Sequence, residues 1–203
     1  MSQRPQQKRI VISGGQCSGK TTLINELKKR GFYVVPEAPM YLIERRDLFG
    51  EGVFPWENLE KFQESVFFLQ DKWEKEIPPA EEIVFLDRGV FDPLAYFEAS
   101  KRALPKHLRN FLTPSRYSHV FFLDLLPRKY WGTTLNGSAR VFSYEESLRI
   151  RNILWNIYQQ AGISLTVIPV CTVAQRADII EQQLGISITL SLPSIEKTPA
   201  EAF

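Results

Sequence analysis

The chain has 203 residues, with 25 Lys and Arg against 23 Asp and Glu, and the resulting net charge of +2 excludes a strongly electrostatic nucleic-acid binder as the default reading. Hydrophobic residues make up 44% and charged residues 24%, the composition of a globular domain and not of a disordered chain. Cys17 and Cys171 cannot build a disulfide framework, and no apolar run approaches the ~20 residues that span a bilayer.

Met1 to Lys8 reads as a polar tail. The β-branched run Arg9 to Ser13 reads as a buried strand ending in Gly14-Gly15, and its apolar centre, Ile10 to Ile12, is too short for the core of a signal peptide. With unpaired cysteines and no leader, a cytoplasmic protein is expected. Thr21 to Arg30 reads as a helix stopped by Gly31, and Phe32 to Val35 as a second strand closed by Pro36. Pro39 lies in the first turn of a helix to about Arg46, and residues 47–56 read as a loop. The longest helix is expected from Trp56 to Ile77, with Phe62, Val66, Leu69 and Trp73 as its apolar stripe.

Ile83 to Asp87, four apolar residues ending in an acid, predicts a central parallel strand. Asp92-Pro93 reads as the N-cap and first-turn proline of a helix to about Arg102. Val120 to Leu126 predicts a fourth strand. Ser143 and Glu146 form a capping box that opens a helix to Ala161, with Gly162 after it. Ile163 to Val170 predicts the fifth strand, and Thr172 caps a last helix to about Leu184. Strands alternating with helices predict an α/β fold, a mainly parallel five-stranded sheet with helices on both faces, over residues 9–185. Residues 186–203 read as a tail.

Gly14-Gly15-Gln16-Cys17-Ser18-Gly19-Lys20-Thr21 has the form Gly-x4-Gly-Lys-Thr and lies between a strand and a helix, the context that makes this motif a phosphate loop. Glycines let the backbone N–H groups turn inward, and the helix N-terminus adds a positive end. Gly14 through Thr22 are therefore the expected nucleotide-binding set, with Cys17 a passenger. Lys20 would reach the β- and γ-phosphates of ATP, and Thr21 would offer its hydroxyl to Mg²⁺. The alternative is a plain glycine turn with a surface lysine.

A second motif, Phe85-Leu86-Asp87-Arg88-Gly89 followed by Asp92, Ala95 and Tyr96, resembles the Asp-Arg-x3-(Ser/Asp)-x2-Ala-Tyr pattern of P-loop kinases that act on small molecules. Over about residues 9 to 184 the chain looks like the AAA_28-type family of P-loop proteins, akin to nicotinamide riboside kinase domains, and is more distantly similar to thymidylate and deoxynucleoside kinases. The resemblance implies the three-layer P-loop sandwich with a lid. It implies Asp87 as a second magnesium group acting through water, against a purely structural carboxylate, and Arg88 as a substrate or phosphate contact, against an ion pair with Asp87 or Glu37. Asp92 is ambiguous, because an N-cap alone is enough to explain it.

Glu37, after the second strand in Val34-Val35-Pro36-Glu37, is similar to the Pro-Glu element whose carboxylate deprotonates the acceptor hydroxyl in deoxynucleoside kinases; the alternative is a glutamate favoured by the start of a helix. Phe62-Gln63 resembles the Phe-Gln pair that reads a base there, with Gln70 on the same face. For both glutamines a solvated polar face competes. Trp56, Phe62 and Phe67 could wall such a pocket, although helix aromatics are more often core.

Residues 127–142 are turn-rich, with Gly132, Asn136 and Gly137, and are long for a connection in a compact domain. In the resembled kinases this is a lid whose arginines close over the transferring phosphate. Arg140 is the first choice for that role and Arg128 the second; Arg149 and Arg151 read as surface charges. The function these residues support best is a kinase that transfers the γ-phosphoryl of ATP to a nucleoside-like small-molecule acceptor. A regulatory NTP-binding switch and a nucleic-acid 5′-end kinase compete with it. No membrane or nucleic-acid partner is expected, and a homodimer is compatible with the exposed helix faces.

Overall fold

The computed structural model describes residues 7–45, 54–130 and 143–186. Its strands are β1 (Lys8–Gly14), β2 (Tyr33–Val35), β3 (Ile83–Asp87), β4 (His119–Leu123) and β5 (Leu165–Ile168). Its helices are α1 (Lys20–Lys29), α2 (Ala38–Glu44), α3 (Leu59–Lys75), α4 (Asp92–Ala99), α5 (Tyr144–Gln160) and α6 (Val173–Leu184).

The strands form one sheet in the order β2-β3-β1-β4-β5, and every pairing is parallel. All C-terminal strand ends therefore share one edge, where ligands bind in open parallel sheets. Register places Ile12 of β1 beside Asp87 of β3, and Gly14 beside Leu123 of β4. The loops after β1 and β3 consequently leave the sheet side by side.

Period-two alternation divides the core. Val11, Val84, Leu86, Val120 and Phe122 face α3, α4 and α5, together with Phe67, Ala95, Leu154 and Tyr158. Ile10, Ile12, Phe85, Phe121 and Leu123 face α1 and α6, meeting Leu23, Leu27, Ala177 and Ile180. The result is a three-layer α/β sandwich of the P-loop NTPase type. A small separate cluster, Ala38, Leu42, Phe62 and Val66, ties α2 to α3.

Several boundaries differ from the sequence expectation. β1 starts at Lys8, inside the segment read as a tail, and its Lys8 N–H bonds to Glu82. α3 starts at Leu59, where the Asn58 side chain accepts from the Lys61 N–H, rather than at Trp56. α4 ends at Ala99, and the connection to β4 runs through two 3-10 turns, Lys106–Phe111 and Pro114–Arg116. β4 stops at Leu123 because the chain then leaves the sheet for the phosphate loop, where the Leu126 N–H donates to the Cys17 carbonyl at 3.0 Å. Both capping boxes, Ser143 with Glu146 and Thr172 with Gln175, are formed. The segment 186–203 read as a tail lies outside the described residues after Ile186. Among the described residues, no helix is long and apolar enough to cross a membrane.

Candidate active site

Gly14 ends β1 at φ +140°, and a Cβ there would lie 2.3 Å from the Leu123 carbonyl oxygen. Only glycine fits, and the chain can turn away from the sheet beside β4. Cys17 follows with φ +55° and Gly19 with φ +87°. Among the described residues, no hydrogen bond takes up the N–H groups of residues 16–19, so they lie open ahead of α1 as an anion nest. Gly14, Gly15, Ser18 and Lys20 are buried; Gln16, Cys17 and Gly19 are half-buried; Thr21 and Thr22 are exposed on the first turn of α1.

The Lys20 ammonium folds over the loop and donates to the Gly15 carbonyl at 2.7 Å and to Ser18 Oγ at 3.3 Å. Burial and the neighbouring Arg88 cation bring its pKa down to about 8, against the attraction of Glu37, Asp87 and Asp92. Thr21 Oγ1 donates to Asp87 Oδ2 at 3.2 Å. Burial and the Glu37 carboxylate push the Asp87 carboxyl up to about 7. Its Oδ1 is buried without a hydrogen-bond partner.

That orphaned oxygen, with a threonine hydroxyl at the other, suits a hydrated magnesium ion, which keeps several waters and takes few protein ligands. Among the described residues, no group of three or more His, Cys, Asp and Glu could hold a metal, so a cage built from protein ligands alone is not offered here.

Beside Asp87, Arg88 adopts φ +77°, a left-handed conformation rare for a side chain of this size. The turn is held at every step. The Arg88 N–H donates to the Ile12 carbonyl at 3.1 Å, the Gln70 amide donates to the Arg88 carbonyl at 3.3 Å, and the Val90 N–H donates to the Tyr117 hydroxyl at 2.7 Å. Strain of this kind persists only where the surroundings over-determine it. The guanidinium is thereby aimed at two carboxylates: Nε donates to Glu37 Oε1 at 2.7 Å and Nη1 to Asp92 Oδ1 at 3.3 Å. The ion pair with Glu37 weighed for Arg88 is thus formed. Glu37 occupies the N-cap position of α2 but makes no side-chain cap bond. Burial opposes ionisation of its carboxyl, yet Arg88 and Lys20 outweigh that and hold it below the usual range.

Asp92 is not the N-cap of α4; Phe91 holds that position. The Asp92 carboxylate instead accepts from Ser13 Oγ at 3.0 Å, from the Gly89 N–H at 3.1 Å, from Arg88, and from the Tyr158 hydroxyl. Four donors nearly saturate its two oxygens, so it anchors the turn rather than serving as a base.

Gln63 and Gln70 are not on a solvated face; both are buried, at 3% and 2% exposure. Gln63 lines a small, partly open cavity of about 10 Å³ with Gln70, Arg88, Asp92 and Tyr96. Gln70 is engaged below it, donating to Glu74 Oε1 at 3.0 Å as well as to Arg88. Glu74 is fully buried and is met by Arg116 Nε and the Tyr117 hydroxyl, each at 2.8 Å. Burial pushes its carboxyl up, against the pull of Arg116. The aromatic wall does not form as pictured. Trp56 is 62% exposed, Phe67 is in the main core, and Phe62 packs between α2 and α3.

Arg140 lies outside the described residues. Arg128 lies at the start of the segment read as a lid, its guanidinium paired with Glu145 and 4.3 Å from the centroid of the Tyr144 ring. Arg149 donates to the Ala99 carbonyl, while Arg151, read as a surface charge, is held by Asp124 beyond β4. Sequence reasoning missed the anchoring role of Asp92 and the supporting set Ser13, Glu74, Tyr117 and Tyr158. The place of Asp92 in the Asp-Arg-x3-(Ser/Asp) pattern was the signal available for it.

Residues 9–176 match the model of a family described as an AAA domain. No curated protein matches the chain by sequence. Among solved structures, the fold is similar to a deoxyadenosine kinase from M. mycoides with bound dATP, at 16% identity and a TM-score of 0.62, covering 87% of this chain and 99% of that one. It is also similar to a thymidylate kinase from Candida albicans (14% identity, TM-score 0.55, 88% and 91% covered). A shikimate kinase from Aquifex aeolicus stands at 18% identity and a TM-score of 0.55, with 87% and 96% covered. At these identities the likeness is one of fold.

Proposed function

The chain belongs to the AAA-domain family, and from that premise we propose that it is an ATP-dependent kinase that phosphorylates a small nucleoside- or nucleotide-like acceptor. The observation that carries this reading is the juxtaposition of two half-sites. A phosphate loop with Lys20, Thr21 and Asp87 adjoins a largely buried Glu37–Arg88 pair, and Arg88 also lines a separate, small cavity. Fold likeness to kinases of a nucleoside, a nucleotide and a small carboxylic acid supports the class and leaves the acceptor open.

In this reading the N–H groups of Gln16 to Gly19 and the first turn of α1 hold the β- and γ-phosphates, and Lys20 turns from Gly15 toward them. Magnesium, held by Thr21 and, through water, by Asp87, supplies charge neutralisation when bound. Glu37, ionised, accepts the proton of the acceptor hydroxyl. The acceptor oxygen bonds to the γ-phosphorus as the bond to the leaving ADP oxygen breaks. Arg88 orients Glu37 and faces the charge that develops on the transferring group. Gln63 is the acceptor-reading side chain, and Arg140 or Arg128 closes the lid. The cavity admits about one water, so acceptor entry separates α2 from α3, which only a small cluster joins. Free Cys17 and Cys171 fit a reducing cytoplasm.

The test is ADP release with ATP and magnesium across nucleosides, nucleotides and nicotinamide riboside. One member of the panel should raise the rate, and Glu37→Gln should leave ATP binding intact while lowering that transfer by about 10²- to 10⁴-fold. Acceptor-independent hydrolysis across the panel would instead establish a regulatory NTP-binding switch, the reading that the small size of the cavity favours.

A further inference from the structure

Arg176 lies on the first turns of α6 at 3% exposure. Its Nη1 donates to the Ser18 carbonyl at 2.7 Å. Its Nε and Nη2 are buried and meet no hydrogen-bond partner. Among the described residues, no carboxylate pairs with it. A guanidinium is a permanent cation with five donors, and buried cations are ordinarily paired. The cation nevertheless has a reserved place: a Cβ on Gly19 would stand 3.1 Å from Nη1.

The Ser18 carbonyl and the Gly19 N–H belong to one peptide group. No cis peptide occurs among the described residues, so the two dipoles point in opposite directions across that plane. With the carbonyl held toward Arg176, the Gly19 N–H is turned to the opposite side, into the phosphate nest. A charge-assisted hydrogen bond at the carbonyl also polarises the group and strengthens that N–H as a donor.

We propose that Arg176 is a positioning residue for the polyphosphate of a bound nucleoside triphosphate. It orients and polarises the Ser18–Gly19 peptide from behind the loop, and the ligand's negative charge compensates the cation that the protein leaves unpaired. The inference rests on the phosphate-loop reading above. It predicts a residue that costs the empty protein stability and repays it on ligand binding.

The experiment uses the full chain, with Arg176→Met and Arg176→Gln, and reads calorimetric binding of ATP and of inorganic tripolyphosphate together with melting temperature with and without each. Both variants should keep or raise the melting temperature of the empty protein. Both should bind ATP and tripolyphosphate about tenfold or more weakly, to the same extent. Wild-type affinity in a folded variant overturns the inference, and so does a loss confined to ATP, which would mark a contact to the base. If Arg176→Met does not fold, Arg176→Gln decides alone, since it removes the charge while leaving a polar end in the buried position. Wild-type protein that binds neither ligand overturns the phosphate-loop reading, and this inference with it.

Discussion

The two halves of the site are built on different principles. On the side proposed for phosphate one contiguous stretch, Gly14 to Thr21, supplies almost everything, and it is the backbone that is shaped, through left-handed turns and open N–H groups. On the acceptor side four elements contribute, and side chains do the work. Glu37 and Arg88 meet across 51 residues of chain, and Arg116 reaches Glu74 across 42. A backbone-built site tolerates substitution of its non-glycine side chains, Lys20 and Thr21 excepted. A side-chain network fails through whichever partner is removed.

Lys20→Ala is the largest expected effect and the sharpest test of the first half. The phosphate charge loses its main side-chain partner, so turnover measured by ADP release should fall on the order of a hundredfold or more. The melting temperature of the empty protein should hold or rise, because a buried cation is removed. Turnover that survived would mean that the chemistry does not run through this loop.

The same contrast decides what could be read from the sequence. The phosphate loop was legible because its glycines and its place between strand and helix are local facts. The sheet was legible because runs such as Ile83 to Asp87 carry the apolar signature of strands covered on both faces. The polar face of α3 was not. Helical periodicity tells which residues share a face, but not what covers it, so for Gln63 and Gln70 a base-reading pocket and a solvated face both stood open. What covers Glu74 is Arg116 and Tyr117, delivered by a 3-10 turn that has no periodic signature. Asp92 was misplaced because Asp-Pro before a helix also fits a cap. The partners that claim its carboxylate, Ser13 and Tyr158, are 79 and 66 residues away.

A pH titration tests whether the halves are coupled. The empty protein holds a proton on Asp87 up to about pH 7, above the ordinary 3.8. It gives up the Lys20 proton near pH 8, below the ordinary 10.5. For Asp87 the native state binds more protons than the unfolded chain between those values, so its contribution to stability falls as pH rises from about 4 to 7. For Lys20 the native state binds fewer, so the cost of burying its charge is relieved as pH rises from about 8 to 10.5. In the proposed reading, magnesium–nucleotide binding needs the carboxylate and the ammonium. Affinity should therefore rise through about pH 7 and fall through about pH 8, by up to about tenfold per unit on each limb. Asp87→Asn should erase the acidic limb, and the empty variant should gain melting temperature over wild type as pH rises toward 7. An unchanged acidic limb would detach Asp87 from nucleotide binding.

The smallest expected effect probes the second half from beneath. Tyr117 makes no contact with Glu37, yet its hydroxyl accepts from the Val90 N–H and donates to Glu74, and the ring leaves no room for a side chain on Gly89. In Tyr117→Phe the ring remains while the Val90 N–H loses its partner and buried Glu74 loses one of its donors. That costs about 1–3 kcal/mol and lowers the melting temperature by roughly 2–12 °C for a domain of this size. The consequence for function follows from the left-handed Arg88, which holds its strained conformation only while the turn beneath it is fixed. With one fixing bond lost, Arg88 should point at Glu37 for a smaller fraction of the time. Acceptor transfer should then fall severalfold at temperatures where the variant is fully folded, with the KM for ATP unchanged. A matching rise in that KM would show that the turn serves the phosphate loop as well, and the two halves would then be one network.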